Sequence, residues 1–223
     1  MKANKFVFAG ALVAVLVAGL LLRFAGLKEP FGLHPDERPI SQWMERMHEY
    51  HSLLPKCYAG GFFVLADATR NLFEWAIFAP LHRWHYFTRA TDQFNPEPPD
   101  VFTFGRPFNA VLGTLVVWLA ALFARRTSRS RAAALAAAAL MAVAAYPVEH
   151  AHYLESDVAM LASVALALYL LVRAIEKKTL GSLAAAAFAV GFAAGTKFPM
   201  AILLAPLALV HVRSEERRVG KEC

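Results

Sequence analysis

Two short segments concentrate the side chains that could do chemistry. One is His34-Pro35-Asp36-Glu37; the other is Glu149-His150-Ala151-His152-Tyr153-Leu154-Glu155-Ser156-Asp157. Each sets carboxylates beside imidazoles, the groups best suited to accept or donate a proton near neutral pH. In the first, Pro35 fixes the backbone ahead of two adjacent carboxylates. Asp36 suits a general base there. It equally suits the start of a helix opening near Glu37 or Arg38, where the dipole favours an acid. In the second, Ser156 or Asp157 suits a helix cap. His150 and His152 with Glu149 or Asp157 suit a metal, although an HxH pair without further ligands is weak evidence. Two cations complete the set. Arg106 and Lys197 each stand at the end of an apolar run, where a long basic side chain can simply reach for the membrane interface. Two cations near two carboxylates suit a reaction whose leaving group is an anion, such as a lipid phosphate. Cys57 and Cys223 form no CxxC and suggest neither a metal site nor a disulfide framework.

The elements that must hold these groups are apolar helices. Of the residues, 58% are hydrophobic, and the apolar ones come in blocks. Each block is about 15–20 residues, near one bilayer crossing at ~1.5 Å per residue. The blocks are Phe6–Leu22, Pro107–Phe123, Ala132–Val148, Val158–Val172, Leu183–Thr196 and Phe198–Val212. The fold class expected is all-α: a polytopic membrane protein of about six spans. The net charge is +6, but the positive residues fall between blocks: Arg125, Arg126, Arg129 and Arg131, then Arg173, Lys177 and Lys178. That is the positive-inside pattern rather than a nucleic-acid footprint. With the amino terminus inside and Phe6–Leu22 as a signal anchor, every basic cluster between spans lies on one side, the cytoplasm. Both acidic segments lie on the other.

Residues 28–106 form the first outer loop in this reading, polar and rich in His, Trp and Pro. Two stretches in it are amphipathic. In Arg38–Leu54, Ile40, Trp43, Met44, Met47 and Leu54 oppose Glu45, Arg46, His48 and Glu49. In Phe62–Phe78, Asp67, Arg70, Asn71 and Glu74 make one polar stripe on an apolar helix that Pro80 ends. Such helices lie along membrane interfaces. The rival reading makes Tyr58–Leu81 a true span, with four polar residues near its middle facing a cavity. Arg213–Cys223 changes composition abruptly and is expected to be a non-native tail, leaving residues 1–212 as an amino-terminal membrane module.

The order of these features resembles the amino-terminal half of the GT-C glycosyltransferases, in particular the protein O-mannosyltransferase and aminoarabinose-transferase type. The resemblance rests on Asp36-Glu37 after the first span, the two amphipathic stretches, Arg106 ahead of the second span, Asp157 ahead of the fourth, and Gly191-Phe-Ala-Ala-Gly-Thr-Lys197. It covers about residues 6–210. Tyr58-Ala-Gly-Gly stands where the family has an aromatic-Pro-Pro start. The resemblance implies transfer of a sugar from a polyprenyl-phosphate donor to an acceptor hydroxyl on a protein or glycolipid, at the outer face of an inner membrane, with inversion. Asp36, Glu37 and Asp157 then form the catalytic set, Arg106 and Lys197 bind the donor phosphate, and His34, His152 and Glu155 serve the acceptor or a divalent ion such as Mg or Mn. Membrane lipids are the other partner; nucleic acid is not. A transporter or flippase, or a non-catalytic scaffold subunit, are the other function classes such a chain admits.

Overall fold

The computed structural model describes residues 3–27, 37, 39–40, 42–43, 61–73 and 101–219. The helices are α1 (Ala3–Phe24), α2 (Gly61–Phe73), α3 (Val101–Ser128), α4 (Arg131–Val143), α5 (Ala145–His150), α6 (Ser156–Lys177) and α7 (Leu180–Thr196). A 3-10 helix at Phe198–Leu203 leads into α8 (Leu204–Val219). Among the described residues there is no strand. Lys5–Phe24, Gly105–Ser128 and Ser156–Lys177 are long and apolar enough to cross a membrane, and Arg131–Val143, Leu180–Thr196 and Phe198–Val212 are shorter apolar helices.

Side-chain size decides which faces meet. Alanines line the helix contacts: Ala138 and Ala142 of α4 meet Val117 and Ala121 of α3, with Leu12, Val15 and Leu16 of α1 packed alongside. Ala167, Leu171 and Ala174 of α6 meet Ala186, Ala189, Val190 and Ala193 of α7. Small residues let backbones approach closely where lipid offers no hydrophobic drive between helices. Large apolar side chains point outward instead, with Phe6 and Phe188 each 77% exposed. That inside-out distribution belongs to an integral membrane protein, as the apolar blocks predict.

Both long hairpins turn in the same way. Arg129 (φ 57) and Lys178 (φ 54) take the left-handed conformation that ends a helix. The next residues, Ser130 and Thr179, cap the returning helices through their hydroxyls, Thr179 in a reciprocal box with Ser182. These turns gather the cations at one end of the bundle. Arg125 and Arg131 sit 5.6 and 6.0 Å from the Phe8 ring, and Arg126 pairs with Glu176 across α3 and α6. The opposite end carries Glu37, Glu155 and Asp157 and is called the site end below.

The structure differs from the expected spans in four places. Ala132–Val148 is not one helix: it breaks at Ala144 (φ −59, ψ 123) into α4 and the short α5. α3 opens at Val101, ahead of the expected start, and holds Pro107 inside it. α7 opens at Leu180 rather than Leu183, because the Thr179–Ser182 box fixes its start. α8 runs through the composition change at Arg213 to Val219.

Residue 37 is helical, and so are residues 39–40 and 42–43 inside the first amphipathic stretch. α2 covers the described part of the second and is 13 residues long, ~20 Å. Its Phe62, Phe63 and Ala66 are buried with Ile40, Phe108, Leu154 and Ala159 at the site end, and Trp43 packs against the same cluster. Asn71 donates to Asp67 across one turn of its polar stripe, 3.0 Å.

Candidate active site

At the site end, α3 presents Arg106 to Glu37. Nε donates to Oε1 and Nη2 to Oε2, each at 3.0 Å, a two-pronged contact that only a guanidinium can make. Nη1 faces the Leu27 carbonyl at 3.4 Å, at the end of α1. Glu37 is fully buried and Arg106 is 12% exposed. The backbone N–H of Leu154 donates to the same Glu37 Oε1 at 2.7 Å. Leu154 reaches there because residue 105 is glycine: a Cβ on Gly105 would lie 2.5 Å from Leu154 Cδ1.

One turn along α3, Asn109 holds the same segment. Its Nδ2 donates to the carbonyls of Tyr153 (2.6 Å) and Glu155 (2.8 Å). Its Oδ1 is buried and has no hydrogen-bond partner. Pinned in this way, residues 153–157 form a track between two carboxylate–cation pairs. At the far end of the track, Asp157 pairs with Lys197, which sits between α7 and the 3-10 helix. Tyr146 Oη reaches the other Asp157 oxygen at 3.4 Å. His150 Nδ1 bonds Glu155 Oε1, and the Tyr146 and His150 rings lie 3.8 Å apart, four residues apart on α5. His150, Glu155 and Asp157 place one ligand atom each within 4.8 Å of one another. An imidazole with two carboxylates is a donor set suited to Mn or Zn more than to Mg.

The predicted site residues are therefore partly assembled in view. Glu37 meets Arg106, Asp157 meets Lys197, and Glu155 lies between the two pairs. Asp36 and His34 lie outside the described residues. His152 goes elsewhere. Its Nδ1 faces the Val148 carbonyl at 2.7 Å and its Nε2 the Ala25 carbonyl at 2.8 Å. His150 takes the place beside Glu155. Tyr146 and Asn109 are site residues that the motifs do not single out. The i, i+4 spacing of Tyr146 and His150 was the one available signal, and it needs a helix that starts after the break.

A family model described as dolichyl-phosphate-mannose-protein mannosyltransferase matches residues 101–222, more than half of the chain. The chain belongs to this family. It is thus a membrane glycosyltransferase of the GT-C superfamily. Within the part matched to the mannosyltransferase family lie Arg106, Asn109, Tyr146, His150, Glu155, Asp157 and Lys197. Glu37 lies ahead of the matched part and joins it through Arg106 and Leu154. Comparisons with curated proteins and with solved structures each gave no match.

Proposed function

We propose that the chain moves a sugar, mannose or a related one, from a polyprenyl-phosphate donor to an acceptor hydroxyl at the site end, on the non-cytoplasmic face. The observation that carries this reading is the pair of carboxylate–cation contacts, Glu37–Arg106 and Asp157–Lys197, tied to one segment at one end of the bundle. The family's name supplies the donor class. Asp36 is the proposed base, next in sequence to the buried Glu37. Asp36 takes the proton of the acceptor hydroxyl, whose oxygen bonds to the anomeric carbon as the bond to the phosphate oxygen breaks. The carbon passes through oxocarbenium character and the configuration inverts. The bond pair leaves on the polyprenyl phosphate, whose charge Lys197 and Arg106 stabilise.

His150, Glu155 and Asp157 would hold a divalent ion, which would supply positive charge for the leaving phosphate. Asp157 already carries the Lys197 ammonium, so we assign that role to Lys197. Transfer by the reconstituted protein is then expected to survive chelation. Loss restored by Mn would return the site to a metal.

The deciding experiment offers the membrane-reconstituted protein a polyprenyl-phosphate mannose and follows sugar transfer. Asp36→Asn should abolish transfer and leave the protein folded; turnover at the wild-type rate would remove Asp36 as the base. Interruptions at Ala144 and at the 3-10 helix also suit a transporter. Movement of the intact donor across the bilayer without transfer would favour that reading. Assembly defects without either activity would favour a scaffold.

A further inference from the structure

Arg23 stands apart from the groups used above. It lies at the site end of α1, is fully buried, and pairs with no carboxylate among the described residues. Burying a guanidinium is costly unless its donors are met. What it meets is backbone. Nη1 donates to the carbonyls of Gly19 (2.9 Å) and Ala142 (3.1 Å), and Nη2 to that of Met141 (3.1 Å). Met141 and Ala142 are in the last turn of α4, whose carbonyls have no intrahelical donors once the chain breaks at Ala144. Broken helices inside a membrane survive only where such groups are satisfied by protein. The negative end of the α4 dipole also suits a cation.

The pocket around the guanidinium is built for it. A Cβ on Gly113 would lie 2.7 Å from Arg23 Nε, and one on Gly19 would lie 3.4 Å from Nη1. The same Gly113 position is 3.2 Å from Ala151 Cβ, in the segment that follows α5. Arg23 Nε is buried with no hydrogen-bond partner, so only the two Nη groups carry the cap.

We propose that Arg23 is a positioning residue for the site: by capping the interrupted α4 it sets the direction of α5, which brings Tyr146 to Asp157 and His150 to Glu155. Had the helix continued through Ala144, its axis would have carried Tyr146 and His150 on along α4. This rests on the transferase reading of the site, but its first readout does not. Spin labels at Glu149→Cys on α5 and Leu166→Cys on α6, with Cys57 and Cys223 replaced by serine, report the α5–α6 separation in the reconstituted protein by pulsed electron paramagnetic resonance. Arg23→Gln should shift or broaden that distance distribution. It should lower kcat roughly ten- to a hundredfold, with KM for the polyprenyl-phosphate sugar nearly unchanged. Gly113→Ala keeps the charge and displaces the guanidinium, so it should act in the same direction, more mildly. Arg23→Lys, which keeps the charge but not the fork, should recover part of both readouts. Wild-type distances in Arg23→Gln and Gly113→Ala would overturn the proposal. So would a reduced yield of folded protein that still turns over at the wild-type kcat, because Arg23 would then only stabilise. If the wild-type protein transfers no sugar while Arg23→Gln still moves α5, the proposed function falls and the positioning role stands.

Discussion

At the scale of single residues, the Glu37–Arg106 contact is the strongest polar feature of the site. Two parallel hydrogen bonds and a third from Leu154 satisfy a carboxylate that no solvent reaches. Removing one member of such a pair leaves a buried charge uncompensated. Glu37→Gln is therefore expected to destabilise the protein by about 3–5 kcal/mol, measured by denaturant unfolding in mixed micelles. Replacing both by a neutral pair, Glu37→Gln with Arg106→Gln, should cost less than the two single changes added together. Additive costs would mean that the two side chains do not act as a pair. The Asp157–Lys197 contact is of another kind, at 23% and 35% exposure. Its removal by Lys197→Met should show in turnover more than in unfolding, because surface-accessible pairs contribute little to stability.

At the scale of elements, the site depends on how closely the 153–157 segment lies on α3. Gly105 permits the approach and Asn109 holds it. Gly105→Ala would force Leu154 outward against a packed cluster of Phe62, Phe63 and Phe108. A loss of about 1–3 kcal/mol is expected from the overpacking. The same change should lower transfer, since the Leu154 N–H would leave Glu37. Leu154→Ala relieves the clash, so the double variant should unfold at higher denaturant than the two separate losses predict. Strict additivity would break the proposed contact. The break at Ala144 works on the same scale: it adds a short helix whose ring pair could not meet Glu155 and Asp157 from a continuous α4.

At the scale of the whole molecule, the two ends of the bundle have opposite character. The turns at Arg129 and Lys178 share one end with Arg125, Arg126 and Arg131, while Glu37, Glu155 and Asp157 share the other. By the positive-inside bias we propose that the basic end faces the cytoplasm. Single cysteines at Arg129 and at Glu149, both exposed positions, should therefore react with a membrane-impermeant thiol reagent from opposite sides of sealed vesicles. Labelling of both from one side would overturn the orientation and with it the outward-facing site.

Much of this was legible in the chain itself. Apolar blocks of bilayer length, with arginines and lysines between alternate blocks, specify the helices and bring one set of turns to one end, since burial in lipid depends on composition and length alone. That two carboxylates and two cations, Glu37, Asp157, Arg106 and Lys197, belong to one face was legible from the order of the blocks; which cation meets which carboxylate came only from the tertiary structure. Only the tertiary structure decided between His150 and His152. The two differ by two residues, and which one meets Glu155 depends on where α5 starts and ends. Hydropathy passes through Ala144 unbroken, because alanine favours a helix on both sides of the break. Pro147, three residues past the break and in the first turn of α5, is its local signal, because a proline inside a continuous helix would clash with the Val143 carbonyl. The Arg23 that caps the break meets residues more than a hundred positions away, a contact no local pattern encodes.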